Sequence, residues 1–125
     1  VKWMEYHPKP PQTFIPLSGK PFYMVLGKPT ARKADGSWDD SQSNLPDLNS
    51  IQAFKFDGTG GLVMDVGTWH EVPFPTAGPT HFVCICTNET NENLEDGDDK
   101  GECEGGDLSK RHVESQFNVI LRIEE

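Results

Sequence analysis

Short apolar segments separated by turn-forming residues make up most of this chain. The segments are rich in Val, Ile, Phe and Thr, and Gly and Pro punctuate them, which is typical of β-strands and their turns. This pattern predicts an all-β sandwich or barrel that forms a single domain over residues 1–125. The predicted strands are residues 13–17, 21–26, 51–56, 61–66, 69–72, 80–87 and 116–123.

Two patterns refine this picture. Residues 22–26 are apolar throughout, which predicts a strand buried on both faces, whereas residues 53–56 alternate as a half-exposed strand does. Residues 30–49 and 88–107 are polar and interrupt the strand pattern, so we predict surface loops there. The second of these loops is rich in Gly, contains no aromatic residue and is expected to be mobile.

The net charge of −9 is concentrated in one place, because residues 88–107 hold nine acidic residues and one lysine. The remainder is nearly neutral and has no basic stripe, which argues against a nucleic-acid partner. No apolar run approaches the length that spans a bilayer, so no membrane partner is expected. The acidic loop leaves one alternative open, that of an interaction domain whose contact surface is this loop.

Part of the acidic loop matches the spacing of a calcium-binding loop. The matching positions are Asp96, Asp98, Lys100, Gly101 and Asp107. Lys100 stands at a ligand position, where its positive charge would repel calcium, and no amphipathic helices are predicted on either side. Calcium binding is therefore disfavoured.

The three cysteines are Cys84, Cys86 and Cys103. An odd count without regular spacing does not predict a disulfide framework, and it fits a reducing, cytoplasmic setting. Cys84 and Cys86 alternate with apolar residues, so both should lie on one face of a strand. Buried thiols are the favoured interpretation, although the pair could also supply two metal thiolates.

Two of the four histidines have neighbours that suggest a site. Glu5 and His7 lie two residues apart, so on a strand both would point to the same face. Gln12, beyond a turn, and His70, on a facing strand, could complete a set of ligands. One carboxylate, two imidazoles and an amide suit Ni²⁺, Mn²⁺, Fe²⁺ or Zn²⁺ with open coordination positions. The competing interpretation is that each is an ordinary strand residue, as we expect for His81 and His112.

The spacing of these residues is similar to the two cupin motifs. Glu5, His7, Gln12 and Gly19 have the spacing of the first motif, with Glu in place of its first His and Gln in place of its Glu. The second motif ends in Gly-x-x-His, which is similar to Gly67-Thr-Trp-His70.

A closer resemblance is carried by longer segments. Residues 12–22 (QTFIPLSGKPF) and residues 67–74 (GTWHEVPF) resemble the ureidoglycolate lyase family, together with Glu5-Tyr-His7. Pro46-Asp-Leu48, Ala53-Phe54 and Gly58 lie between them. The resemblance covers about residues 3 to 87.

This resemblance implies a cupin-type (RmlC-like jelly-roll) β-barrel that is usually a homodimer. It implies an enzyme that cleaves ureidoglycolate to glyoxylate and urea in the allantoin stage of purine degradation. Family members generally carry a further N-terminal portion, whereas this chain starts at Val1, close to the first motif. The resemblance therefore implies that strands completing the barrel or the dimer are absent from this sequence.

Roles follow for particular residues as hypotheses. The expected metal ligands are Glu5, His7, Gln12 and His70. The expected catalytic residues are His70, with Asp65 or Glu71 as the base. The expected substrate-binding residues are Gln12, Lys20 and Trp69. Asp65 stands where the family typically has His, so an alternative is a cupin that acts on or binds another small hydroxy acid or lactone, as an isomerase, a hydrolase or a binding module.

Overall fold

The computed structural model describes residues 1–39, 44–98 and 101–124, and within them most regular structure is β-strand. The strands are β1 (Trp3–Tyr6), β2 (Gln12–Pro16), β3 (Phe22–Gly27), β4 (Gln52–Phe56), β5 (Leu62–Met64), β6 (Trp69–His70), β7 (Phe74–Pro75), β8 (Phe82–Ile85), β9 (Cys103–Gly105) and β10 (Leu108–His112). Two helices, α1 (Asn88–Asp98) and α2 (Val113–Phe117), and a 3-10 turn at Leu48–Ser50 complete it. Neither helix has the length and apolar character needed to cross a membrane.

The strands form two antiparallel sheets. The larger sheet has the order β4-β3-β6-β1-β10-β9, with β7 added alongside β3, and the smaller sheet has the order β5-β2-β8. The all-β, cupin-type prediction is therefore confirmed, although the described strands form two sheets and no closed barrel. Since β1 pairs with both β6 and β10, its residues are flanked by side chains from both neighbours.

One apolar core lies between the two sheets. The large sheet contributes Phe22 and Met24, and the small sheet contributes Phe14 on β2 and Met64 on β5. The ring of Phe22 stacks on that of Phe56 at 5.0 Å. Successive side chains on these strands point alternately into this core and away from it. A polar residue on an inward-facing position therefore lies in or beside the core.

A second apolar core covers the other face of the large sheet. Met4, Tyr6, Val25 and Trp69 are buried there, and the chain's last residues pack against them through Leu121 and Ile123. The large sheet is thus covered on both faces. This explains the unbroken apolar run of β3, and the prediction of a strand buried on both faces is confirmed.

The predicted strand at 116–123 is wrong. The chain instead forms helix α2, which begins when the His112 side chain accepts a hydrogen bond from the Ser115 amide and ends at Asn118, in the left-handed conformation (φ 54°). Residues 118–124 have no strand pairing. Apolar residues alternate in this segment because Leu121 and Ile123 pack onto the second apolar core. The strand that returns to the sheet is β10.

The prediction of an irregular loop over residues 88–107 is also wrong. Helix α1 begins where the Thr87 hydroxyl accepts a hydrogen bond from the Thr90 amide, at 3.2 Å, and strand β9 follows the helix. Thr90 is fully buried, and its hydroxyl donates to the Asp107 carboxylate. This buried contact anchors an otherwise polar helix. Lys100, of the calcium template, lies outside the described residues.

Two of the connections between the sheets, β2–β3 and β4–β5, touch at Gly58, which has φ +88°. A Cβ atom on this residue would lie 2.3 Å from the Lys20 carbonyl oxygen, whereas one on Gly78 (φ +82°) would meet nothing within 4 Å. We expect Gly58→Ala to lower the free energy of unfolding by about 2–4 kcal/mol, since steric clash adds to backbone strain. Gly78→Ala, the matched control, should cost about 1–2 kcal/mol from strain alone. Chemical denaturation measures both, and equal losses would contradict this account of the contact.

Candidate metal centre

Three potential metal ligands converge in the interior between the sheets. Glu5 on β1 lies directly opposite His70 on β6, so both side chains project from the same face of the large sheet. His7 follows β1 and, two residues after Glu5, shares that face. The strand pairing and the alternation along β1 are therefore sufficient to bring Glu5, His7 and His70 together.

The distances within this triad are short. The Glu5 Oε1 atom lies 3.9 Å from Nε2 of His7 and 3.6 Å from Nε2 of His70. The two imidazole rings have a centroid separation of 5.3 Å. One ligand atom from each residue lies within 4.8 Å of the others, which leaves room for a single ion at their centre.

Backbone carbonyl groups orient both imidazoles. The His7 Nδ1 atom lies 2.7 Å from the Asp107 carbonyl oxygen, and the His70 Nδ1 atom lies 2.8 Å from that of Thr68. Because a carbonyl oxygen can only accept, each Nδ1 must carry the proton and donate. Each Nε2 is then left with a lone pair directed toward Glu5. Metal-binding histidines are typically held by this second hydrogen bond.

Burial keeps both imidazoles neutral. It lowers the pKa of His7, although the bond to Asp107 and its charge oppose the effect. Burial, together with the neighbouring His7, lowers the pKa of His70 to about 3. A neutral imidazole is the form that coordinates a metal, so this environment favours ligands over cations.

The buried polar atoms of the site fit a divalent cation. Within the described residues, His7 Nε2, His70 Nε2 and Gln12 Oε1 are buried and have no hydrogen-bond partner. Each is an acceptor, and leaving a buried acceptor unsatisfied costs about 1–3 kcal/mol. A cation that took the two imidazole nitrogens and a Glu5 oxygen would satisfy both histidines at once, and Gln12, on the same pocket wall as Glu5, offers a further oxygen. Nitrogen and oxygen donors of this kind suit Ni²⁺, Mn²⁺, Fe²⁺ or Zn²⁺.

A pocket of about 370 Å³ borders this centre. Glu5 and Gln12 form part of its wall, whereas the two histidines are buried and do not line it. The remaining lining residues are Trp3, Phe14, Glu71, Val72, Cys84, Leu94 and Lys110. The volume is within the usual range for small-molecule sites.

The other candidates from the sequence lie in different places. Glu71 lines the pocket, where its carboxylate accepts a hydrogen bond from the Trp3 amide at 3.0 Å. Trp69 is fully buried on the opposite face of the sheet, where its indole donates to Thr30. The Asp65 side chain is exposed in the turn before β6 and is absent from the residues that line the pocket.

Lys20 also lies away from the pocket. Its ammonium group is 3.4 Å from the carbonyl oxygen of Pro79, in the connection between β2 and β3. The structure therefore groups Glu5, His7 and His70, and it places Gln12 and Glu71 with Glu5 on the wall of one pocket, which Asp65, Lys20 and Trp69 do not line.

The interpretation of Cys84 and Cys86 as buried thiols is wrong. Cys84 is exposed and Cys86 is half-buried, because β8 is an edge strand of the small sheet. The Cys84 sulfur nevertheless reaches the pocket wall. Local desolvation of the thiol and the neighbouring Cys86 raise the pKa of Cys84 to about 11, so it is a protonated thiol rather than a thiolate at pH 7.

Two residues in the C-terminal third contribute to the site without having been predicted. Asp107 is fully buried, and its carbonyl group holds His7, while its carboxylate accepts hydrogen bonds from Thr90 and from the Lys9 amide. Lys110 on β10 lies directly opposite Glu5 and lines the pocket. The Leu108–His112 strand was not predicted, so no signal in the sequence indicated that these residues approach Glu5.

Comparison with known proteins identifies the family. A profile described as ureidoglycolate lyase matches residues 1–116. The chain is also similar to a protein named ureidoglycolate lyase from Schizosaccharomyces pombe, with 29% identity over 126 residues. That alignment covers 98% of this chain and 54% of the relative, so the chain spans about half the length of the curated relative. The match extends the resemblance carried by the two motif segments into the C-terminal third, and the chain belongs to the ureidoglycolate lyase family.

Proposed function

We propose that this chain forms the metal-dependent site of a ureidoglycolate lyase, which cleaves ureidoglycolate to glyoxylate and urea. The observation that carries the proposal is the triad of Glu5, His7 and His70, whose Glu5 lines a pocket of small-molecule size, in a chain of this family. Glu5, His7, His70 and Gln12 would hold the cation. A divalent cation held there would act as a Lewis acid that lowers the pKa of a bound hydroxyl group.

The reaction requires a proton to move between two atoms of the substrate. Ureidoglycolate has one carbon that bears a hydroxyl group, a carboxylate and a urea nitrogen. A base removes the hydroxyl proton, the carbon–oxygen bond becomes a carbonyl, and the carbon–nitrogen bond breaks as its electron pair goes to nitrogen. That nitrogen must then receive a proton to leave as urea.

Glu71 is the better placed of the two candidate bases. Strand β6 ends at His70, so the alternation of faces does not continue, and the Glu71 carboxylate turns to the pocket wall. Hydrogen bonds from the Trp3 and Val72 amides fix its orientation. In our proposal the Glu71 carboxylate takes the hydroxyl proton and then gives it to the leaving nitrogen. Asp65 is exposed elsewhere and is not assigned a role.

The wider setting of the enzyme is part of the same proposal. We infer that it acts in the degradation of allantoin from purines, as a homodimer in the cytoplasm. The pathway and the homodimer are what the resemblance to the family implies, and three free cysteines are in keeping with a reducing compartment.

The metal assignment predicts a loss of binding when the triad is broken. Wild-type protein stripped with a chelator should bind one equivalent of Ni²⁺, Mn²⁺ or Zn²⁺ in a calorimetric titration. Substitution of His70→Ala should weaken binding by more than about 100-fold, because even residues that only orient ligands contribute 10- to 100-fold. The control is His81→Ala, which removes an exposed imidazole away from the triad. Equal binding by wild type and His70→Ala would contradict the assignment.

The choice of base predicts a contrast between two carboxylates. Glu71→Gln should lower kcat for urea release by about 100-fold or more, since it removes a general base but keeps an oxygen that can accept from Trp3. Asp65→Asn should change kcat by less than about threefold. Urea and glyoxylate are measured together and should appear in equal amounts.

Three results would count against this proposal. Loss of activity in Asp65→Asn with activity kept in Glu71→Gln would reverse the assignment of the base. Absence of urea release by the metal-loaded protein would reject the lyase function. Turnover of another hydroxy acid or a lactone in its place would favour the alternative, a cupin with a different substrate.

A further inference from the structure

Lys110 occupies a position beside the candidate metal centre that no prediction from the sequence had assigned. Strand β1 pairs with β6 on one side and with β10 on the other. Glu5 therefore has His70 as its neighbour across one pairing and Lys110 as its neighbour across the other. Residues directly opposite one another on antiparallel strands have side chains on the same face. Lys110 thus projects to the face that carries the triad.

An aromatic ring fixes the position of the Lys110 ammonium group. Its Nζ atom lies 5.0 Å from the centroid of the Trp3 indole, within the range of a cation–π contact. Trp3 is in turn held by the bond from its amide to Glu71. An ammonium group carries three donors, so contact with a ring face is compatible with contact to a ligand. Lys110, Trp3 and Glu71 all line the pocket.

The charges on the pocket wall favour a role for Lys110 with an anionic ligand. Among the described residues that line the pocket, two are carboxylates, Glu5 and Glu71, and one is basic, Lys110. A carboxylate ligand that entered this pocket would be repelled by both acids. Besides the divalent cation of the proposed function, Lys110 is the positive group among the described lining residues that can offset this repulsion.

We propose that Lys110 is the anchor for the carboxylate of the substrate, and that the pocket selects small α-hydroxy acids over their neutral counterparts. This inference rests on the proposed function for the identity of the natural substrate. It assigns to Lys110 the role that the sequence had suggested for Lys20, whose ammonium group lies instead near Pro79.

The experiment measures binding without turnover, so its outcome is separable from the lyase reaction. Glycolate, a minimal α-hydroxy acid, and glycolamide, its neutral counterpart, are titrated calorimetrically into metal-loaded wild type and into four variants, Lys110→Met, Lys110→Arg, Lys20→Met and Lys55→Met. Lys55, on β4, is the matched control. Its Nζ atom lies 5.5 Å from the centroid of the Tyr23 ring, and neither residue lines the pocket. Methionine keeps an unbranched apolar stem, and metal affinity checks that each variant is folded.

Lys110→Met should weaken glycolate binding by about 10- to 100-fold, the effect of a hydrogen bond to a charged group, and leave glycolamide binding unchanged. Lys110→Arg should restore most of the affinity, and Lys55→Met should bind as wild type does. In turnover, Lys110→Met should raise KM for ureidoglycolate more than it lowers kcat.

Several results would overturn the assignment. One is unchanged glycolate binding by Lys110→Met, and another is equal loss of glycolate and glycolamide. Failure of the wild type to bind glycolate more tightly than glycolamide would also overturn it. So would a loss of glycolate affinity in Lys20→Met as large as the loss in Lys110→Met. If the wild type binds glycolate through Lys110 but releases no urea, the anchor stands and the proposed reaction fails.

Discussion

The pairing of β1 with β6 is the constraint on which the rest of the site depends. It places Glu5 opposite His70, and the alternation along β1 adds His7 to the same interior face. Once there, the imidazoles are buried, so burial lowers the pKa of both. Carbonyl oxygens accept hydrogen bonds from the Nδ1–H groups, and both Nε2 lone pairs then face a carboxylate without a hydrogen-bond partner in the described structure. A polar cluster of this kind, inside an apolar sandwich, is costly unless a ligand completes it.

Packing on the opposite face of the large sheet holds the site residues in place. Trp69 precedes His70 and Tyr6 precedes His7, and both aromatic rings are buried in the second apolar core, in edge-to-face contact at 4.6 Å. Their packing fixes the strands from behind, which holds the histidines in position on the interior side. Trp69 is therefore better understood as support for the site than as a contact for the substrate.

The sequence allowed the four expected ligands to be predicted because their relations are local or periodic. Glu5 and His7 share a face by alternation, and the spacing of the two cupin motifs added Gln12 and His70. Long-range contacts could not be predicted in this way. Lys110 reaches the pocket because of the register in which β10 pairs with β1. The pattern predicted the returning strand at residues 116–123 instead, because Leu121 and Ile123 alternate with other residues as they pack onto the second core. The acidic segment likewise forms a helix that is anchored by a long-range buried contact, from Thr90 to Asp107.

Binding of a divalent cation by two buried imidazoles and a carboxylate can be measured at the metal itself. X-ray absorption spectroscopy of the protein loaded with one equivalent of Zn²⁺ identifies the ligand atoms. We expect two imidazole nitrogens at about 2.0–2.1 Å, together with oxygen ligands. A first shell of oxygen alone, or one with sulfur at about 2.3 Å from Cys84 and Cys86, would rule out this metal site.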